Sequence, residues 1–211
     1  MAYQVKSIFG PTLQGEGLHA GMPCLFVRLA GCNAWDGRLE TRGASACPYC
    51  DTDFRGGERL ELSQIAQRLE SLRAGTSELG CVLTGGEPLL QADSALIAQL
   101  AGAFRWVDIE TNGTRPAPAH ADNVFVSCSP KLLAREPVLV EMDWWKILIP
   151  DQDRFLARAL ASGKPVFLQP TMPDAGAQDE SYQDHLRRCL ELCFRHGCRL
   201  SIQLHKVIGV E

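Results

Sequence analysis

The 211-residue sequence predicts an open, partial (β/α) barrel of about six parallel strands, forming one domain over residues 1–211. Three observations carry that prediction. Short apolar runs alternate with amphipathic stretches along the chain, the pattern of βα units feeding a parallel sheet. The length falls short of the roughly 250 residues that a closed eight-unit barrel takes. Hydrophobic residues make up 45% and charged residues 22%, ordinary globular usage that supplies a core and excludes disorder, collagen-like repeats and coiled coil.

Residues 24–29 read as the first strand, followed by a long Gly- and Cys-bearing loop through Gly57. Ser63 is placed to cap a helix that stops at Gly75, a serine start and a glycine stop. Residues 81–84 form a strand ending in Gly85-Gly86-Glu87-Pro88, and Asp93 caps the helix after it. Residues 105–110 run as a strand into Thr111-Asn112-Gly113, and 124–128 as another into Ser129-Pro130-Lys131. Residues 144–149 lead through Pro150 into a helix, 166–168 end in Gln169-Pro170, a long helix fills 179–196, and 200–204 close as the last strand.

Side chains alternate across a strand. Cys24, Phe26 and Arg28 therefore share a face, as do Trp144, Lys146 and Leu148, and Ser201, Gln203 and His205. Parallel strands buried on both faces usually read as unbroken apolar runs. Here one face carries Arg28, Lys146, Gln169 and His205, so the lumen is expected to be a polar site rather than a filled core.

The charge balance, 21 basic against 25 acidic residues for a net of −4, offers no basic stripe, so neither nucleic acid nor an anionic membrane is expected as main partner. No apolar run approaches the ~18 residues of a membrane span, and the N-terminus lacks a secretory pattern. The expected location is the cytoplasm. Nine cysteines, an odd number without an export signal, point to metal or redox chemistry rather than a disulfide framework.

Cys32, Cys47 and Cys50 lie in one loop as C-x14-C-x2-C. Three buried small hydrophobes, or a Cys3His zinc site completed by His19 or His205, are the plainer readings. A [4Fe–4S] cluster normally takes four cysteines, so three would leave one iron open to a ligand. Gly85-Gly86 reads either as a tight turn or as close approach of backbone to a ligand at a strand's carboxyl end. Arg28 offers a planar fork suited to a carboxylate, or else a structural ion pair. Cys24, Cys81 and Cys128 read as core, Cys189 and Cys193 as packing on the last helix, and Cys198 as incidental.

With the three-cysteine loop and Gly85-Gly86-Glu87-Pro88 following successive strands, the sequence resembles the radical S-adenosylmethionine (SAM) enzymes, and among them the 7-carboxy-7-deazaguanine synthase family. The resemblance runs through Phe9, residues 12–17 (TLQGEG), Arg28, 30–33 (AGCN), 50–54 (CDTDF), 84–88 (TGGEP), 110–113 (ETNG), 129–131 (SPK), Gln169-Pro170 and His205-Lys206. It departs from the superfamily spacing C-x3-C-x2-C by eleven extra residues between Cys32 and Cys47, a variant that some family members share.

The resemblance implies conversion of 6-carboxy-5,6,7,8-tetrahydropterin to 7-carboxy-7-deazaguanine with loss of ammonia, with a [4Fe–4S] cluster, SAM and Mg²⁺ as cofactors. It implies Cys32, Cys47 and Cys50 as cluster ligands and Thr52 as the Mg²⁺ ligand. SAM would meet Tyr49, Cys50, Asp51, Gly86, Ser129, Pro130, Lys131, Gln169 and Pro170. Substrate would meet Leu13, Gln14, Gly15, Arg28, Thr84, His205 and the terminal Glu211. A flavodoxin-type electron donor and a homodimer are implied as partners. Rival readings are a glycyl-radical-enzyme activase, a zinc-binding interaction module and a simple electron-transfer iron–sulfur protein. The loops singled out all follow the carboxyl ends of strands, the end at which parallel barrels build active sites.

Overall fold

The computed structural model describes residues 1–73, 75, 76, 78–131, 142–173 and 176–210. Its strands are β1 (Ala2–Leu13), β2 (Pro23–Leu29), β3 (Glu58–Glu61), β4 (Gly80–Gly85), β5 (Val107–Thr111), β6 (Val124–Cys128), β7 (Trp144–Ile149), β8 (Val166–Pro170) and β9 (Arg199–Leu200). Its helices are α1 (Leu39–Arg42), α2 (Leu62–Arg73), α3 (Ser94–Ala103), α4 (Leu156–Ala161), α5 (Glu180–His196) and α6 (Leu204–Ile208). One sheet carries all nine strands in the order β3-β1-β2-β4-β5-β6-β7-β8-β9. From β2 to β9 every pairing is parallel, and β1 pairs antiparallel with both β2 and β3. The edges β3 and β9 do not pair with each other, so the barrel is partial and open, as expected.

The two faces of the sheet divide as the alternation requires. Leu25, Val27, Leu29, Leu83, Ile109, Val126, Ile147 and Leu168 join Ile65, Leu69, Leu96, Leu100, Phe155 and Leu192 from the helices in the main core. A smaller cluster of Cys24, Val82 and Trp106 lies on the other face. There the strands also carry polar side chains into a cavity. Asp93 caps α3 by accepting the Leu96 N–H at 3.0 Å, and Gly197, at φ +69°, ends α5 in the left-handed conformation that glycine adopts without strain.

Three expectations change. The N-terminal segment is a twelve-residue strand; its irregular register with β2 blurs the alternation that marks a strand. Ser63 lies inside α2 and does not cap it; instead Gln64 Oε1 accepts the Glu61 N–H at 2.8 Å, half of a capping box. Strand pairing stops after Leu200, and residues 204–208 turn into α6. His205 is therefore helical, although Ser-Ile-Gln-Leu-His alternates like a strand.

Candidate functional site

Inward residues of six strands open into a cavity of about 310 Å³: Phe9 and Leu13 from β1, Phe26 and Arg28 from β2, Thr84 from β4, Glu110 from β5, Lys146 and Leu148 from β7, and Gln169 from β8. Around it the polar side chains form one hydrogen-bonded lining. Lys146 Nζ lies 2.5 Å from Glu16 and 3.4 Å from Glu110. Gln169 and Gln203 donate to Glu16 at 3.0 and 2.9 Å. Gln14 Nε2 donates to Glu110 at 3.3 Å, and the Thr84 hydroxyl donates to it at 3.5 Å. Burial alone would push the Glu16 carboxyl up, but the Lys146 ammonium outweighs it and holds the group below its usual range. Arg28 Nε is buried with no hydrogen-bond partner among the described residues, and its guanidinium stands 5.6 Å from the Phe9 ring. A buried donor left unpaired is costly; this one faces a cavity in which an anion can pair with it.

The cysteine loop forms the cavity's upper wall. Its eleven extra residues fold outward and close on themselves, with the Ala46 N–H donating to Ala34 O at 3.2 Å. Inside that excursion the Trp35 indole donates to Arg38 O and to the Thr41 hydroxyl, each at 3.1 Å, and meets Phe54 edge-on at 5.6 Å. Arg42 donates to Pro48 O at 2.9 Å, and Ser45 accepts the Cys47 N–H at 3.1 Å. The insertion therefore ends where it began and leaves Cys32, Cys47 and Cys50 around one space.

Burial pushes the Cys32 thiol up. The Cys47 thiol hydrogen-bonds to Cys50 and drops the Cys50 thiol to about 6, while the same bond and burial drive Cys47 upward. The Cys47 hydrogen bond thus favours the Cys50 thiolate, the ligand form of cysteine. Among the described residues no three His, Cys, Asp or Glu side chains close around a point suited to a single ion. His19 is engaged with Asp108 at 2.8 Å rather than with the cysteines. The three thiols share one space at the cavity wall, and thiolates of this kind are the ligands that iron–sulfur centres take.

The glycine pair seats against that loop. A Cβ on Gly86 would lie 2.1 Å from Gly31 O and 2.7 Å from Cys32 Cβ, so only glycine allows this approach. The fully buried Glu87 then ties three loops together. It accepts the Leu89 N–H at 3.0 Å, the Thr111 hydroxyl at 2.8 Å and the Asn112 N–H at 2.7 Å. Its own N–H donates to Gly31 O at 2.9 Å, and the Asn112 amide reaches Asn33 at 2.8 Å. Burial pushes the Glu87 carboxyl up despite these donors.

On the far side Lys131 donates to Ser129 at 2.9 Å and stands 5.6 Å from the Tyr49 ring. Buried Gln152 links Tyr49 and Ser129 at 3.1 and 3.3 Å. From α6, Lys206 lies 2.5 Å from Asp51. The Leu204 N–H donates to Gly15 O at 3.0 Å.

Leu13, Gln14, Arg28, Thr84 and His205 thus share one cavity wall system with Tyr49, Cys50, Asp51, Gly86, Ser129, Lys131, Gln169 and Pro170, and with Cys32, Cys47 and Thr52. Gly15 lies behind the wall; a Cβ there would meet the His205 ring at 1.9 Å. Pro130 sits between two lining residues without lining the cavity itself. Glu211 lies outside the described residues. Sequence reasoning passed over the roles of Glu16, Glu110, Gln152 and Gln203. The alternation Asp108-Ile109-Glu110, two acids on one strand face, was the available signal for Glu110.

No family model matches the chain. It is 40% identical to the 7-carboxy-7-deazaguanine synthase of Bordetella pertussis and 37% to that of Burkholderia multivorans, over 100% of both chains in each case. The chain belongs to the 7-carboxy-7-deazaguanine synthase family. As a member of that family it is an enzyme. It also resembles the crystal structure of QueE from Escherichia coli, with a TM-score of 0.71 and 26% identity, covering 97% of this chain and 95% of that one. In this synthase-family member, among the described residues, no helix is long and apolar enough to cross a membrane.

Proposed function

We infer that the chain converts 6-carboxy-5,6,7,8-tetrahydropterin to 7-carboxy-7-deazaguanine and ammonia by radical SAM chemistry. The observation that carries this reading is one cavity with three thiols at its upper wall and an orphaned arginine donor lower down. Cys32, Cys47 and Cys50 would hold a [4Fe–4S] cluster, which together with SAM would supply the one-electron radical chemistry of the reaction.

The chain's own task is to orient and to exclude water. Arg28 pairs its guanidinium with the pterin carboxylate, and Phe9 and Phe26, stacked at 4.9 Å, wall that end against solvent. Leu13, Gln14, Gly15, Thr84 and His205 hold the ring, and the Glu211 carboxylate completes that set. Tyr49, Cys50, Asp51, Gly86, Ser129, Pro130, Lys131, Gln169 and Pro170 hold SAM.

Thr52 would hold Mg²⁺ together with substrate oxygens. Its hydroxyl lies 3.5 Å from Asp51 Oδ1, and hard oxygen donors with few protein ligands suit that ion. The same reading gives a cytoplasmic, single-domain enzyme that works as a homodimer and takes electrons from a flavodoxin-type donor.

The test is an anaerobic reaction of reconstituted protein with SAM, Mg²⁺, reductant and the pterin, read by mass spectrometry. Formation of 7-carboxy-7-deazaguanine is the expected result. Cluster-loaded protein that cleaves SAM but leaves the pterin unchanged overturns the substrate. Protein that cleaves neither overturns the reaction class.

A further inference from the structure

The hydrogen-bonded lining continues below the cavity to a pair of side chains at the amino-terminal end of the barrel. His19 lies in the connection between β1 and β2, with Nδ1 2.8 Å from Asp108 Oδ1. Its ring stacks on Trp106 at 4.1 Å with 9° between planes, and meets Phe125 edge-on at 4.9 Å. Asp108 is 0% exposed and accepts a second bond from Gln14 Nε2 at 3.5 Å. The connection is pinned again at Gly17, whose N–H donates to Ser201 Oγ at 3.1 Å and where a Cβ would meet the Trp144 ring at 2.0 Å. Residues 14–19 therefore cross the floor of the lumen, with Gln14 and Glu16 on the cavity wall and His19 locked to Asp108.

An ionised carboxylate only accepts hydrogen bonds, whereas an amide has one end of each kind. Gln14 stands between two carboxylates, Asp108 at 3.5 Å and Glu110 at 3.3 Å, and turns its NH₂ to both. Its Oε1 accordingly accepts the Glu16 N–H at 3.2 Å. Asp108 and Glu110 together dictate which way round the amide sits, and His19 holds Asp108.

We propose that His19 and Asp108 are positioning residues for substrate recognition: by fixing the Gln14 amide they leave outer lone pairs of Glu16 and Glu110 facing the cavity, set to accept from the donor-rich edge of a 2-aminopyrimidinone ring. The proposal rests on the reading that the pterin lies against Gln14. Replacing Asp108 with Asn carries a specific consequence. With its one oxygen toward His19, the new side chain turns its NH₂ toward Gln14 Nε2, while Glu110 still accepts from that nitrogen, so the Gln14 amide loses its single preferred orientation. Keeping the amide as it is sets two NH₂ groups against each other, and turning it over sets its oxygen against the Glu110 carboxylate and its NH₂ against the Glu16 N–H, so neither orientation is free of repulsion.

The experiment is a double-mutant cycle on reconstituted holoenzyme, with Asp108→Asn, Gln14→Ala and the double variant. The readouts are calorimetric affinity for the pterin at saturating SAM, affinity for SAM alone, and melting temperature. Asp108→Asn is expected to weaken pterin binding about tenfold, the scale of one hydrogen bond. In the Gln14→Ala background it is expected to change binding less than about twofold, and SAM affinity is expected to stay unchanged. His19→Asn, whose amide N–H reaches Asp108, is expected to bind within about threefold of wild type, while His19→Ala follows Asp108→Asn.

Equal losses from Asp108→Asn in both backgrounds overturn the proposal. So does a lowered melting temperature with unchanged pterin affinity, the mark of a purely structural pair. If Asp108→Asn does not fold, the same cycle is run with His19→Ala and Gln14→Ala and judged by the same criteria. Wild-type protein that binds SAM but not the pterin overturns the reaction reading itself, and so separates the two failures.

Discussion

Lys146 stands between two carboxylates, and the side chains of all three are at least four-fifths buried. Removing one partner of such a group leaves two largely buried carboxylates without their counter-charge, a loss of up to about 3–5 kcal/mol. Lys146→Met keeps the volume and removes the ammonium, so its urea midpoint is expected to fall by that amount of stability at pH 7. The pH dependence has a definite sign. In the wild type Glu16 lies below its usual 4.5, so its contribution is present above that value and disappears as pH falls through the lower folded value. In the variant, burial raises Glu16, which penalises folding as pH rises past about 4.5. The deficit should grow from acid pH toward pH 7 and be smallest below the lowered wild-type value; a pH-independent gap would show that the ion pair is not its source. Arg28 belongs to this scale too. Arg28→Ala gives up hydrogen bonds to a charged group, each about 1.5–3 kcal/mol, so KM for the pterin should rise roughly 10- to 150-fold with iron content unchanged. An unmoved KM would remove Arg28 from the carboxylate.

At the level of elements, the cysteine loop is a case where spacing understated order. Eleven extra residues between Cys32 and Cys47 look from sequence like slack, but the Ala34–Ala46 bond and the Trp35 anchor give the excursion its own small framework. Trp35→Ala deletes that anchor. A buried Trp→Ala change costs about 3–5 kcal/mol, here charged to a local loop rather than to the sheet. Reconstituted Trp35→Ala should retain the wild-type circular dichroism yet hold less than half the iron per chain, on the order expected when such a loss exceeds local stability. Full iron loading would show that the three cysteines organise themselves without the excursion. The strands from β4 through β8 were legible because parallel strands bury both ends of an apolar run. β1 was not, since register breaks interrupt its alternation. α6 was misread because five alternating residues look alike to periodicity, and what ends the strand is the loss of a pairing partner after Leu200. The cavity-facing side chains on β2, β7 and β8 could be read from alternation alone. The acceptor network of Glu16 and Glu110 could not, because it depends on which distant strands meet across the lumen.

Across the whole molecule, the site is closed by joining regions far apart in sequence. α6 reaches residue 15 through the Leu204 N–H and residue 51 through Lys206, so it joins the segment after β1 to the cysteine loop. Yet no residue of α6 is buried, and its removal takes nothing from the main core. Among the described residues, deleting 204–211 gives up one long-range backbone hydrogen bond, about 1 kcal/mol, and one partly exposed ion pair, about 1 kcal/mol or less. At roughly 2–4 °C per kcal/mol for a chain of this size, the melting temperature should fall by no more than about 8 °C. Function should suffer far more than stability. The cavity loses His205 and the cation that holds Asp51, so KM for the pterin should rise at least about tenfold while the far-ultraviolet spectrum stays that of the full chain. A collapse of the melting temperature would mean that α6 supports the sheet. An unchanged KM would mean that the substrate wall is complete with the strands alone.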